Sequence, residues 1–208
     1  MVLKLTFSVD EVEQRVSEAL NKMKDEVSKF KELCSAYHEF RDQLSDARNN
    51  AFDMSKRVAF YYKQYLGLDN EGAFKLIPLD ERVRDDLKYS PAGATHLGDD
   101  GFWYLGVELT VYKNKNTYPQ QPFLVRFKFL RKEDGSYLLN VDGLNAASII
   151  TDMDDATQFS PVFDKVQENI LGYFNENLKF LKGKHNKMSS IGFIQSDLAT
   201  TINNENNG

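Results

Sequence analysis

His96, Asp99 and Asp100 lie close together between Gly93 and Gly101. An imidazole and carboxylates on a glycine-rich loop are the donor set of a divalent-metal site or an acid–base pair. The spacing matches no specific motif, and a hydrophilic turn uses the same residue types. Asp152, Asp154 and Asp155 begin like a calcium loop, but Ala156 replaces the third ligand, no central glycine follows, and Phe163 falls where a bidentate glutamate belongs. These carboxylates are therefore expected to complement the N-terminus of a following helix. Cys34 and His38 are one helical turn apart and would form half of an intersubunit metal site, with Cys34 alternatively a nucleophile, or be packing residues on an apolar stripe. Lys179, Lys182, Lys184 and Lys187 could contact phosphate or complement a helix C-terminus. No phosphate-binding glycine loop, nucleophile elbow, zinc-helix motif or dinucleotide fingerprint is present.

A second group of candidates depends on strand parity. In Phe102 to Lys113, Trp103, Leu105, Val107, Leu109 and Val111 alternate with Tyr104, Gly106, Glu108, Thr110 and Tyr112. Phe123 to Arg131 repeats the alternation, and Tyr137 to Val141 follows Glu133-Asp134-Gly135. A two-residue Asp-Gly loop would put polar side chains into the core. A three-residue loop with Gly135 in the left-handed conformation pairs Phe129 with Leu139 and Phe127 with Val141. With that register the second face of the sheet gathers Tyr104, Glu108, Tyr112, Arg126, Lys128, Asn140 and Asp142. Such a face is either a platform for an anionic ligand or a partner peptide, or a solvated surface laced with cross-strand ion pairs.

The elements that must position these residues are a long helix, the sheet and a last helix. From Ser8 to Leu66 there is neither Gly nor Pro. Ser8 and Glu11 have capping-box spacing, Phe7 and Val12 form the staple around it, and Gly67 supplies the helix stop. Two rows recur at seven-residue spacing, Val9, Val16, Met23, Phe30, Tyr37, Leu44, Ala51, Val58, Tyr65 and Val12, Ala19, Glu26, Leu33, Phe40, Ala47, Met54, Tyr61, Leu68. Glu26 is the one break. Leu20, Val27 and Cys34 widen the stripe, while Arg15, Lys22 and Lys29 lack the acidic partners of a tidy parallel zipper. The expected assembly face is Val16, Met23, Val27, Phe30, Leu33, Tyr37, Phe40, Leu44, Met54, Val58 and Tyr61. The helix is either a continuous stalk or a hairpin folding back near Ser45 to Asn50. Ala73 to Pro78 reads as a short strand or linker, Leu79 to Tyr89 as a short charged helix, and Ser90 to Gly101 as a loop. Ser160 and Pro161 open a helix whose Val166, Ile170, Tyr173, Phe174, Leu178 and Leu181 should cover the odd-numbered sheet row.

The fold class is thus α+β: a coiled-coil-like N-terminal helix or helical hairpin, then a three- to four-stranded antiparallel meander covered by a C-terminal helix. The expected divisions are a helical segment 1–68, a head 69–183 and a polar, flexible tail 184–208.

With 41% hydrophobic and 27% charged residues the chain has globular composition. A net charge of -5 argues against nonspecific attraction to nucleic acid or anionic lipid. Cys34 is the only cysteine, which excludes an internal disulfide. The apolar start is too short for a signal peptide and no segment suits a membrane span, so a cytoplasmic protein is expected. The expected function is a non-enzymatic interaction or adaptor protein without a cofactor, docking to a protein partner or to its own copies through the N-terminal helix and presenting a sheet face. The alternatives are a small metal-assisted hydrolase or nuclease using His96, Asp99 and Asp100, and a single-stranded nucleic-acid binder using the sheet tyrosines.

Overall fold

A computed structural model describes residues 8–68, 71–79, 87–114 and 117–183. The fold is α+β and divides into two compact units, Met1–Asn49 and Asn50–Gly208. The expected helix at Leu79 to Tyr89 falls largely outside the described residues, as does the tail 184–208.

Helix α1 spans Val9–Tyr65, and the Ser45 to Asn50 segment is helical throughout. Its start is the reciprocal box read from the sequence: Ser8 N–H donates to Glu11 Oε2 at 3.2 Å and Glu11 N–H to Ser8 Oγ at 3.3 Å. At the other end Gly67 adopts φ 61°, and its N–H reaches the Gln64 carbonyl at 2.9 Å.

The second unit contains a six-stranded sheet, two or three strands more than expected. β1 (Phe74–Ile77), β3 (Trp103–Tyr112), β4 (Gln120–Arg131), β5 (Tyr137–Val141) and β6 (Ala147–Ile150) lie in that order, and β2 (Thr95–Leu97) also pairs with β3, on the flank that β1 occupies further along. All pairings are antiparallel. The β4–β5 register is that of the bulged loop: Phe129 pairs with Leu139 and Phe127 with Val141. Gly135 takes φ 85°, and Lys132 N–H closes the loop onto the Ser136 carbonyl at 2.8 Å. The expected Ser90 to Gly101 loop is instead a short helix, α2 (Pro91–Ala94), followed by β2 and a turn. Gly106 marks a close approach, because a Cβ there would sit 2.2 Å from the Ile77 carbonyl oxygen and 2.7 Å from Leu79 Cδ2.

The odd-numbered row forms the core floor: Leu105, Val107, Val125, Phe127, Phe129, Leu139 and Val141 are all fully buried. Two helices cover it. α3 (Ser160–Leu181) contributes Val162, Phe163, Val166 and Ile170; of the face expected to cover the sheet, Val166 and Ile170 are buried and Tyr173 and Phe174 pack partly buried on the core, whereas Leu178 and Leu181 are exposed. Its N-cap is Phe159, with no side-chain cap. The other cover is the last part of α1: Ala51, Met54, Val58, Ala59, Tyr61 and Tyr62 are buried, and Tyr62 packs on Phe127 and Phe163 with ring centroids 5.1 and 5.0 Å apart. Met54, Val58 and Tyr61, expected on the assembly face, are therefore core residues of the second unit. The apolar rows continue into this stretch because the sheet demands the same stripe as a partner helix would.

Beside the outer strand β6, Asp155 caps a single helical turn, Ala156–Gln158, accepting from Thr157 N–H at 3.0 Å. Gln158 Oε1 then accepts from Thr151 N–H at 2.7 Å, and Ser148 Oγ donates to the Gln158 carbonyl at 2.8 Å. Among the described residues no helix is long and apolar enough to cross a membrane.

Candidate interaction surfaces

In the first unit the rows of α1 place large apolar side chains in water. Val9, Val12, Val16, Leu20, Met23, Phe30, Leu33, Tyr37 and Phe40 are between 49% and 73% exposed. Leu44 and Cys34 are half-buried. The side chain of Val27 lies outside the described residues. Scattered exposed apolar residues are ordinary on a protein surface, whereas a continuous stripe at helical spacing over some thirty residues is not. A helix of this kind in isolation gains little from its own hydrogen bonds, since most helical stability comes from packing an apolar face.

The second face of the sheet carries the residues that strand parity assigned to it. His96 lies on β2 opposite Tyr104 of β3, and the two rings stack with centroids 5.4 Å apart. The Tyr104 phenol donates to Asp100 Oδ2 at 2.8 Å, and Phe102 N–H donates to Asp100 Oδ1 at 3.2 Å. These bonds, the phenol's first, hold the Asp100 carboxyl below the usual aspartate range. Burial, with the bond to Asp100, pushes the Tyr104 phenol up to about 12. Asp99 is exposed. Among the described residues no three His, Cys, Asp or Glu side chains gather into a metal-binding group. The geometry thus makes Asp100 a turn cap and Tyr104 partner.

The charges of this face answer one another. Asp142 lies 3.5 Å from Lys128 Nζ and 3.8 Å from Arg126, and Lys128 also sits over the Phe102 ring at 5.3 Å. Glu108, on β3, pairs with Lys75 of β1 at 3.6 Å. Asn140 turns its side-chain oxygen to Val141 N–H at 2.7 Å. Tyr112 ends β3 opposite Gln120. Cross-strand pairs of this kind fix register and contribute little energy each.

Next to the charged cluster the register aligns Leu130, Leu138 and Ile149 across β4, β5 and β6. Leu130 is 37% and Ile149 45% exposed, and Leu138 between them is half-buried. Sequence reading missed this apolar corner because β6 was not recognised; the even parity of Leu130 and Leu138 was its one available sign. The reading also missed the buried contact between Ser55 of α1 and Thr95 of β2, whose hydroxyls are 2.6 Å apart. Other candidates make local contacts. Asp154 pairs with Arg57 at 2.6 Å, Lys179 with Glu176 at 2.6 Å, and Asp155 caps the turn before α3. His38 is exposed on α1 one turn from Cys34. Lys184 and Lys187 lie outside the described residues.

The chain matches no family model, no curated protein and no solved structure.

Proposed function

We propose that this chain is a non-enzymatic interaction protein: it docks through the apolar stripe of α1 between Val9 and Phe40, and its second unit presents the mixed charged and apolar sheet face to a binding partner. The observation that carries the reading is the exposure of that stripe, because apolar area of this extent is stabilised by leaving water. The Leu130–Leu138–Ile149 corner beside Lys128 and Asp142 has the make-up of a modest protein contact, an apolar centre with a polar rim. A reducing, cytoplasmic setting goes with this reading, since Cys34 lies on the stripe as a free thiol. The hydrolase alternative has less support, as the His96 ring is stacked on Tyr104 and Asp100 is engaged by that phenol.

Site-specific photo-cross-linking in cells tests the proposal. A photoreactive residue at Leu33 should give discrete adducts, whereas one at Glu32, off the stripe, should not. Equal or absent labelling at both positions refutes docking through α1.

A further inference from the structure

The stripe has two unlike flanks, and they say what covers it. Beside the Val12–Leu33–Phe40 row run the basic residues Arg15, Lys22 and Lys29; beside the Val16–Met23–Phe30–Tyr37 row run Leu20, Val27 and Cys34. We infer that the occupant is the same chain, three or four copies bundled parallel and in register along Val9 to Phe40. This rests on the docking reading above and names its partner.

Three observations carry it. The exposed apolar area of the stripe is on the order of 1,000 Å² per helix, above the roughly 800 Å² per partner of a stable interface and beyond the largest apolar patch of an ordinary monomer. The width of the stripe sets the number of copies. A two-stranded seam covers two rows and would leave Leu20, 53% exposed here, in water, while a third or fourth helix covers the extra row. The flanks set the direction. In a parallel, in-register bundle each basic flank residue meets the apolar flank residue five positions on in its neighbour, Arg15 against Leu20 and Lys29 against Cys34. Lysine stems then cover apolar surface while their ammonium groups stay in water. An antiparallel pair would instead set basic flank against basic flank, which like-charge repulsion disfavours.

The test uses the full chain at about 100 μM, with Cys34→Ser in every sample. Light scattering on the eluting protein gives the mass, and Val16→Cys or Asn21→Cys reports direction on oxidation. Val16 belongs to a core row, and Asn21 points away from it. The inference expects a mass of three or four chains and covalent dimer forming from Val16→Cys about tenfold faster than from Asn21→Cys, as for thiols held at millimolar effective concentration. A mass of one or two chains overturns it, as does a larger mass with no preference for Val16→Cys. If the mass is that of one chain but photo-cross-linking at Leu33 captures a different protein, self-assembly is refuted while docking through the stripe stands. Both substitutions are on exposed helix surface in the first unit, so Trp103 fluorescence, in the second, serves as the check that the chain remains folded.

Discussion

Met54 and Phe60 lie in the same stretch of α1 and make opposite predictions. Met54 is 0% exposed against the sheet, whereas Phe60, the larger side chain, is 54% exposed. Met54→Ala removes buried atoms and leaves a cavity under a close-packed layer, at a cost of 2–5 kcal/mol for substitutions of this type; about 3 kcal/mol is a fair central value. Phe60→Ala forfeits an edge-on contact with Tyr61, at 5.4 Å between centroids, and partial burial, so about 1 kcal/mol or less is expected. Urea unfolding followed by the fluorescence of Trp103, the single tryptophan, measures both. With a slope of about 2 kcal/mol per M, Met54→Ala should lower the midpoint by about 1.5 M and Phe60→Ala by less than about 0.5 M. Equal shifts, or a larger one for Phe60→Ala, would refute the conclusion that this end of α1 is part of the core rather than of an assembly face.

Other expectations follow from single contacts. Gly106→Ala places a methyl group against the Ile77 carbonyl and Leu79, so β1 must move off β3; hydrogen exchange at Leu76 and Ile77 should rise well above that of β4 and β5. At high pH the tyrosines should govern stability. Burial and hydrogen bonds to Asp100 and Asp164, respectively, push the Tyr104 and Tyr65 phenols up to about 12, against about 10 in the unfolded chain. The folded state therefore binds more protons between these values, so stability is whole below pH 10 and falls as pH rises through 12. Urea midpoints at pH 9 and pH 11 should differ less in Tyr104→Phe and Tyr65→Phe than in the parent, and an unchanged difference in both would refute the assignment.

Local chemistry was legible in the sequence where it involves few residues. The Ser8–Glu11 box, the Gly135 bulge and the parity of Trp103 to Tyr112 each follow from backbone constraints acting within a turn or a strand pair. The strands that escaped notice are short and flanked by turn residues: β2 has three residues, and β6 has four after Gly143 and Asn145. Their alternation is too brief to register, and only pairing to β3 and β5 makes them strands. The unrecognised role of Met54, Val58 and Tyr61 has a different cause. Seven-residue rows record that one side of a helix leaves water, and they read alike whether that side meets another helix or a sheet. Similarly, nothing in the order of His96, Asp99 and Asp100 foretold that the tyrosine four residues beyond Asp100 would engage both the ring and a carboxylate.

The Gln158 side chain has a consequence for behaviour in crowded solution. By taking up the Thr151 N–H at the end of β6, with Ser148 held to its carbonyl, it occupies part of the rim at which another strand would have to add. Growth of the sheet by stray strand addition is hindered on that side. A chain that displays this much apolar surface along a helix gains from such a stopper, because it biases crowding toward contacts between helices, which can close on a fixed number of copies, and away from ladders that have no natural end.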